Sequence, residues 1–457
     1  MADVTEIQRL GKKLKRSAAG ARITLLRMEP AKLLLIGYLS YMVVGWGLLS
    51  LPFAQVEPLK AIDNLFIASS AVSTTGLVVV DPGTSYTLFG EIVIIILIQI
   101  GGLGYMTISS FAVLALQDRL NRVLEHTVRA TFSLPEGIEV GSFIKSVVFF
   151  TLITEILGAI LLLPFFIAKD VANPVWSAIF HSISAFCTAG FSLNPNSFED
   201  FRSSFGVNAI ISALSLLGAM GFLIVLDSWR TITSQKRFLG FTSKVIFRIT
   251  LVFLVLGTSL LFVADPQIRA LPQEERFLAS FFQTMTASTT VGFNTYPISA
   301  VSHSVLVVLL FLMVIGASPA GTGGGLKTTS FAALVGLVRS TLKGRDKIRF
   351  FKREVPLTRL QTATTSLAFY AALLTASLFF LFLTEKEAEF DYVLFEAVSA
   401  MGTVGLSMGL TGDLSFFGKV IIITLMVAGR VGILTFGIAL ATHDESREEE
   451  EDNELIM

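Results

Sequence analysis

Long apolar stretches alternate with short polar connections along most of this chain. A bilayer core of roughly 30 Å needs about 20 apolar residues per helix, and eight stretches reach or approach that length. They lie near residues 31–52, 87–116, 143–168, 206–227, 243–264, 303–342, 361–384 and 417–442. The pattern predicts an all-α integral membrane protein with eight spanning helices.

Four further apolar stretches are too short to cross a membrane, and each one ends in a recurring motif of Ala, Thr, Gly and then Leu or Phe. The stretches are 61–73, 175–187, 277–289 and 390–402, and the motifs are Ala71–Leu77, Ala185–Phe191, Ala287–Phe293 and Ala400–Leu406. Backbone that stops part-way through a membrane is tolerated only where it is buried in protein or lines a watery cavity. The pattern therefore predicts four consecutive helix, pore-loop, helix repeats, with four re-entrant pore helices, arranged pseudo-fourfold around a central ion pore.

These repeats divide the chain into segments. We predict a basic cytoplasmic amino terminus over 1–30, pore repeats over 31–116, 143–227, 243–342 and 357–442, and an acidic cytoplasmic tail over 443–457.

Backbone carbonyls at the end of each pore helix are the candidate ion ligands. Carbonyl rings replace the hydration shell of a cation in selectivity filters, and Gly allows the backbone to approach a ligand closely. The predicted cation filter comprises Thr74, Thr75, Gly76, Thr188, Ala189, Gly190, Thr290, Val291, Gly292, Thr403, Val404 and Gly405. Nine residues before the glycines stand Ile67, His181, Gln283 and Glu396. We expect the polar ones to hydrogen-bond the backbone behind the filter, with direct ion ligation by His181 or Glu396 as the alternative.

The sixth long stretch is interrupted by five glycines and a proline, a run that cannot stay helical. The run predicts a mobile loop that lies across the pore below the filter, formed by Gly316, Ala317, Ser318, Pro319, Ala320, Gly321, Thr322, Gly323, Gly324, Gly325 and Lys327. Arg430, in the middle of the last stretch, is placed below the filter because an intramembrane Arg faces a bundle interior or a watery cavity. Its positive charge would slow cations there, and a purely structural anchor for the loop is the alternative. A phosphate-binding loop is the competing interpretation of this run, but that motif needs Gly directly before Lys, and Leu326 intervenes.

Small residues also recur on the second helix of each repeat. They are Gly101, Gly218, Gly316 and Gly429, followed three residues later by Gly104, Gly221, Pro319 and Gly432. We expect them to let these helices bend or pack closely. A break in the helix is predicted in the third repeat alone.

Composition and charge support the membrane assignment and set the orientation. Hydrophobic residues make up 53% of the chain, charged residues 15%, and the net charge is zero, so no nucleic-acid partner is predicted. Basic residues collect at the amino end and in the regions 119–129, 230–244 and 339–353. By the positive-inside rule this places both termini in the cytoplasm of a multi-pass protein of the cytoplasmic (inner) membrane. The basic regions are expected to contact the lipid bilayer. Those at 230–244 and 343–353, together with the amino end, are also candidate docking surfaces for a cytoplasmic partner.

The motifs Phe180–Phe186 before Gly190 and Phe395–Ala400 before Gly405 resemble the Trk/Ktr/HKT superfamily of potassium transporters. With only about 30 residues before the first helix, the chain is most similar to the Ktr-type membrane subunit. The resemblance implies a homodimer and a cytoplasmic RCK-type ring that binds nucleotides, with ATP, ADP or NAD as candidates. It also implies that the glycine-rich loop over 316–327 gates permeation and that Arg430 belongs to this gate. It also implies a preference for K⁺ over Na⁺, because superfamily members with Ser in place of the first filter glycine tend to pass Na⁺.

The predicted function is gated, channel-like K⁺ uptake without enzymatic chemistry. No covalent cofactor is expected, K⁺ is the permeant ion, and stimulation by Na⁺ is left open. The alternative is a Na⁺- or H⁺-coupled cation symporter, although such carriers usually show inverted repeats with a midplane carboxylate.

Overall fold

The computed structural model describes residues 30–104, 139–232, 240–345, 347–351 and 353–440, together with residues 107, 110, 111 and 114. The predicted amino terminus before residue 30, the basic region at 119–129 and the acidic tail lie outside the described residues.

Four successive stretches of chain repeat one order of elements, which is a long helix, a short helix and a second helix. Unit 1 contains α1 (Pro30–Leu49), α2 (Ala61–Val72) and α3 (Leu88–Leu103). Unit 2 contains α4 (Val140–Ala168), α5 (Pro174–Phe186), α6 (Phe205–Met220) and α7 (Phe222–Ile232). Unit 3 contains α8 (Phe241–Ala264), α9 (Gln273–Thr289), α10 (His303–Val314) and α11 (Thr328–Thr341). Unit 4 contains α12 (Leu357–Thr384), α13 (Phe390–Gly402), α14 (Phe416–Val431) and α15 (Ile433–Leu440).

Smaller elements join these helices. Single helical turns lie at Pro52–Ala54, Pro82–Ser85, Glu199–Phe201, Pro266–Arg269, Ile298–Ala300 and Thr411–Asp413. A two-stranded antiparallel hairpin, β1 (Arg349–Phe350) and β2 (Arg353–Glu354), connects units 3 and 4.

The first helix of every unit is long and apolar enough to cross a membrane. These helices are α1, α4, α8 and α12, and they begin and end near four of the predicted spans. Their outer faces leave large apolar side chains exposed, such as Val43, Ile160, Val255 and Phe379. A lipid environment accommodates such faces, whereas water would not.

The second helices differ from the prediction, because they end early instead of crossing as continuous spans. α3, α6 and α14 end against Gly104, Gly221 and Gly432, whose φ angles are 79°, 89° and 97°. A glycine in the left-handed region is a common helix terminator, since other residues are strained there. The α14–α15 pair is bent by 108° at this point. The expected uninterrupted spans over 87–116, 206–227 and 417–442 are therefore wrong, and a break confined to the third unit is wrong as well.

The units form a closed circle of helix contacts. Each short helix packs against the first helix of its own unit, and the second helix of each unit contacts the short helix of the next one, with α14 of unit 4 contacting α2 of unit 1. A phenylalanine ten residues before each motif glycine is buried in this packing: Phe66, Phe180, Phe282 and Phe395. The packing therefore brings the carboxyl ends of the four short helices together.

A buried ion pair joins the last unit to the first. Lys419 Nζ on α14 lies 2.7 Å from Asp63 Oδ1 on α2, and each side chain is 10% exposed. Removing one member of such a pair leaves an uncompensated buried charge, which costs about 3–5 kcal/mol.

We therefore predict that Lys419→Met lowers the thermal unfolding temperature strongly in detergent, because Asp63 is left unpaired. The double variant Asp63→Asn, Lys419→Met is expected to recover most of the loss. The exposed pair Lys347–Glu354, at 3.3 Å, provides a matched control, and Lys347→Met should change stability by no more than about 1 kcal/mol. Equal effects of Lys419→Met and Lys347→Met would contradict a stabilising role of the buried pair.

Candidate functional site

Every short helix ends in the same backbone turn. The threonines that follow them, Thr74, Thr188, Thr290 and Thr403, all have φ between 49° and 61°. This left-handed conformation is uncommon for a β-branched residue and marks a functional or over-determined site. In each turn the amide of the next residue donates to the carbonyl five residues earlier, as in Thr75 to Ser70 at 2.9 Å and Val404 to Ser399 at 2.8 Å.

A hydroxyl group stands six residues before each motif glycine, which the sequence analysis did not recognise. These residues are Ser70, Ser184, Thr286 and Ser399, and all four are buried. Ser70 Oγ and Ser399 Oγ accept hydrogen bonds from the amides of Gly76 and Gly405, both at 3.1 Å, while Ser184 Oγ donates to Phe191 O at 2.8 Å. The spacing can be read from the sequence. The hydrogen bonds that these hydroxyls make depend on the fold of the turn, which the sequence alone does not give.

The four motif glycines, Gly76, Gly190, Gly292 and Gly405, meet in cyclic order and are called the glycine ring below. Their φ angles are 93°, 68°, 83° and 89°. A Cβ atom built on any of them would collide with the preceding carbonyl oxygen of the neighbouring motif: Ala189 for Gly76, Val291 for Gly190, Val404 for Gly292 and Thr75 for Gly405. Both backbone conformation and lack of space therefore require glycine at each position.

Three polar side chains hold the chain that leaves the ring. His181 Nδ1 contacts Ser177 O at 2.8 Å, and its Nε2 accepts from the amide of Leu193 at 3.3 Å. Gln283 Nε2 donates to Tyr296 O at 2.7 Å. Glu396 accepts from Ser407 Oγ at 2.8 Å and also from Thr411 Oγ1. The predicted hydrogen bonds to the backbone beyond the motif are present for His181 and Gln283. Glu396 departs from the prediction, because it accepts from two side-chain hydroxyls and not from the backbone.

The glycine-rich run of unit 3 folds as a loop that crosses directly beneath the ring, and residues 316–327 are called the crossing loop below. Its two ends are adjacent, since Ile315 and Leu326 form a parallel β-bridge. Its outer part reaches unit 2, where the amides of Ser318 and Thr322 donate to Ala219 O at 3.0 Å and Gly218 O at 3.1 Å. These two amides are therefore not available to a phosphate.

The crossing loop contacts the threonine of every unit. Thr322 O accepts from Thr74 Oγ1 at 3.3 Å, and Thr322 Oγ1 lies 3.0 Å from Thr188 Oγ1. The glycines that follow lie against the other two threonines: a Cβ on Gly323 would meet Thr290 Oγ1, and one on Gly324 would meet Thr403 Oγ1. One segment of a single unit therefore lies against the underside of all four turns.

Two cationic side chains hold this loop. The guanidinium of Arg430 on α14 donates to the carbonyl oxygens of Thr322 in the loop and Gly101 on α3, and to Gly102 O at 3.3 Å. Lys327 Nζ donates to Gly323 O within the loop at 2.8 Å. Arg430 thus connects units 1, 3 and 4 at the level of the crossing loop.

Cavities approach the ring from two sides. One, of about 330 Å³, is lined by the four ring glycines together with Asp81, Asn294 and Glu199. Glu199 accepts from Asn294 Nδ2 at 2.7 Å, and burial raises its pKa above the ordinary value. The other cavity, of about 210 Å³, is lined by Gly101, Gly104, Gly323, Lys327 and Arg430. The crossing loop lies between them.

All the predicted filter and gate residues are described, and the fold brings them into one region around the ring and the crossing loop. The arrangement offers backbone carbonyl oxygens, which are ligands suited to hard cations. Among the described residues there is no cluster of three or more His, Cys, Asp or Glu side chains that could hold a metal ion.

A buried carboxylate behind the second motif connects two units. Glu155 on α4 is 5% exposed, and its two oxygens accept from Gln99 Nε2 of α3 at 3.0 and 3.1 Å. Cys187 Sγ lies 3.8 Å from the same carboxylate. Glu155 therefore joins units 1 and 2 behind the second motif.

A family model and several known proteins match nearly the whole chain. The model of the cation transport protein TrkH matches residues 42–451. The Ktr system potassium uptake protein B of Vibrio alginolyticus is 36% identical over 425 residues, covering 90% of this chain and 91% of that protein. The protein of the same name from Bacillus subtilis is 33% identical, and the match covers 94% of this chain and 97% of that protein. The potassium/sodium uptake protein NtpJ of Enterococcus hirae is 32% identical, and the match covers 91% of this chain and 93% of that protein.

The fold is also similar to a solved structure. The crystal structure of the potassium transporter TrkH from Vibrio parahaemolyticus superimposes with a TM-score of 0.71 at 20% identity, and the match covers 91% of this chain and 86% of that one.

Proposed function

The chain belongs to the TrkH family of cation transport proteins, and on that premise we propose that it carries potassium ions into the cell through a gated, channel-like pore. The observation that carries this proposal is the glycine ring, in which each glycine lies against a backbone carbonyl of the next unit. Relatives that share about a third of their residues with this chain are named potassium uptake proteins.

In this proposal the pore runs along the pseudo-fourfold axis of the four units. A K⁺ ion enters from the cavity bordered by Asp81 and Glu199, whose negative charges raise the local cation concentration. It sheds water at the ring, where the carbonyl oxygens of Thr75, Ala189, Val291 and Val404 replace part of its hydration shell. One short motif per unit supplies few such oxygens, so selectivity for K⁺ over Na⁺ is moderate.

The crossing loop is the gate. It contacts all four threonines and separates the two cavities, so an ion leaving the ring meets backbone and the positive charge of Arg430. Opening requires the loop to move away from the ring, which breaks the Arg430 hydrogen bond to Thr322. The hydroxyls and amides of the loop then face the ion path.

The protein is further proposed to act as a homodimer in the cytoplasmic membrane, with both termini inside the cell. A cytoplasmic ring subunit that binds nucleotides would dock on the basic regions 230–244 and 343–353, together with the amino end, and bias the position of the loop. The names of the relatives as parts of a Ktr system support a partner subunit.

Sodium-coupled transport is the second candidate, because one relative is named a potassium/sodium uptake protein. Flux of K⁺ into proteoliposomes distinguishes the two. A channel-like pore is expected to pass K⁺ down its gradient with neither Na⁺ nor a proton gradient present, while a symporter would need the second ion. A strict requirement for Na⁺ in both compartments would overturn the channel-like mechanism.

Replacing Gly76 by Ser should raise Na⁺ flux relative to K⁺ flux several-fold. The new Cβ would collide with Ala189 O, and the residue would hold a φ of 93° that side chains disfavour, so the ring must widen or distort. The matched control is Gly47→Ser on α1, where an added Cβ meets nothing within 4 Å. An unchanged ion preference in Gly76→Ser would count against the ring as the filter.

Weakening the crossing loop should increase K⁺ flux. Arg430→Ala removes hydrogen bonds from a charged donor, each contributing about 1.5–3 kcal/mol, so flux through the resting protein is expected to rise about tenfold or more. Deleting residues 317–325 should have the same effect with little strain, because Ile315 and Leu326 are already bridge partners.

Arg430→Lys separates two contributions, since Lys keeps the positive charge but cannot hold two carbonyls in the same geometry. High flux in this variant assigns the barrier to the hydrogen bonds, and low flux assigns it to the charge. If the alanine and deletion variants both conduct at or below the wild-type rate, the loop is not the gate.

A further inference from the structure

An apolar groove lies on the outside of unit 3, beside the base of the crossing loop. It has a volume of about 540 Å³ and runs between α10, α11 and one residue of α12, Leu367. Its walls include Phe311, Val335 and Val338, which are 49%, 37% and 57% exposed. No other part of the described chain covers these side chains, so the groove is open to the surroundings of the protein.

One end of the groove is cationic. Arg339 and Lys343 line it and are exposed. Neither side chain forms a hydrogen bond or ion pair with another described residue, whereas the nearby Lys347 is paired with Glu354. The groove thus combines a long apolar floor with two cations at one end that have no acidic partner in the described part of the chain.

The length of the groove matches one leaflet of a bilayer. From Thr328 to Arg339, α11 rises roughly 17 Å at about 1.5 Å per residue, and half of a hydrocarbon core is about 15 Å. In the orientation proposed above, Arg339 and Lys343 then lie at the cytoplasmic surface, where anionic headgroups are concentrated.

The other end of the groove touches the crossing loop. Ile315 and Leu326, whose β-bridge closes the base of the loop, both line it. An occupant of the groove therefore packs against both ends of the proposed gate while that gate is in its closed position.

We infer that this groove is a binding site for an anionic phospholipid of the cytoplasmic leaflet, with its phosphate on Arg339 and Lys343 and an acyl chain along α11. The expected effect on transport rests on the proposed function. Because the groove is formed with the loop in its closed position, a bound lipid stabilises the closed state and lowers K⁺ flux.

The test uses the purified full-length protein in vesicles of phosphatidylcholine alone and of phosphatidylcholine mixed with phosphatidylglycerol. Bound phosphatidylglycerol is measured by native mass spectrometry, and K⁺ flux is measured in parallel. The wild type is expected to retain phosphatidylglycerol in preference to phosphatidylcholine and to conduct less in the mixed vesicles.

The double variant Arg339→Gln, Lys343→Gln should bind phosphatidylglycerol about thirtyfold more weakly, the effect of removing two cations from an anionic surface. Its flux should no longer depend on the anionic lipid. The matched control, Arg345→Gln with Lys347→Gln, removes the same charge from the same basic region outside the groove and should behave as the wild type.

A second variant fills the groove without changing charge. Val335→Trp should lose the bound lipid, while Val307→Trp on the exposed face of α10, outside the groove, should keep it. Equal phosphatidylglycerol binding by the double variant and its control would overturn the inference. Conversion of a dimer to a monomer by Val335→Trp would also overturn it, because the occupant would then be a second copy of the chain.

Absence of K⁺ flux from every preparation would contradict the proposed function. The binding measurements would still decide whether the groove holds the lipid.

Discussion

Backbone polar groups inside a membrane need partners within the protein, and this constraint governs the centre of the molecule. The four short helices stop in the interior of the protein, where their last carbonyls and the following amides cannot rely on bulk water. A left-handed threonine turns the chain at each end, and the next amide bonds back to a carbonyl of the helix. The carbonyl oxygens of the turn, beside the neighbouring glycine, are the polar groups that this turn leaves for another ligand.

The same constraint explains why the second helices break. A helix end leaves unpaired carbonyls, and the ends of α3 and α6 lie beside the crossing loop. Gly101 O and Gly102 O of α3 accept from Arg430, while Gly218 O and Ala219 O of α6 accept from amides of the loop. The breaks in units 1 and 2 therefore provide acceptors for a loop inserted in unit 3 and a side chain from unit 4.

Much of this architecture could be predicted from the sequence because it follows local rules. The length of apolar stretches predicted the four long helices, and the recurrence of Thr and Gly at one spacing predicted the motif at the end of each short helix. The glycine-rich run predicted the interruption between α10 and α11. These signals depend on a residue and its near neighbours along the chain.

The remaining features depend on contacts between distant residues or on backbone angles. Asp63 and Lys419 are separated by 356 positions, and Gln99 and Glu155 by 56, so neither partner could be assigned by periodicity. The helix ends at Gly104, Gly221 and Gly432 were missed because apolar residues continue on both sides, and glycine alone does not distinguish tight packing from termination. The path of the crossing loop beneath all four threonines depends on how every unit packs, so it could not be predicted from the sequence.

All four quarters of the ring belong to one polypeptide. In a pore built from four identical subunits, any substitution appears four times, and an arginine below the ring would be present as four charges. Here a substitution at one position changes one quarter of the ring and leaves the other three unchanged. Arg430 can therefore face the crossing loop without a like-charged copy opposite it, and a substitution can change the contact of one unit with the loop without changing the other three.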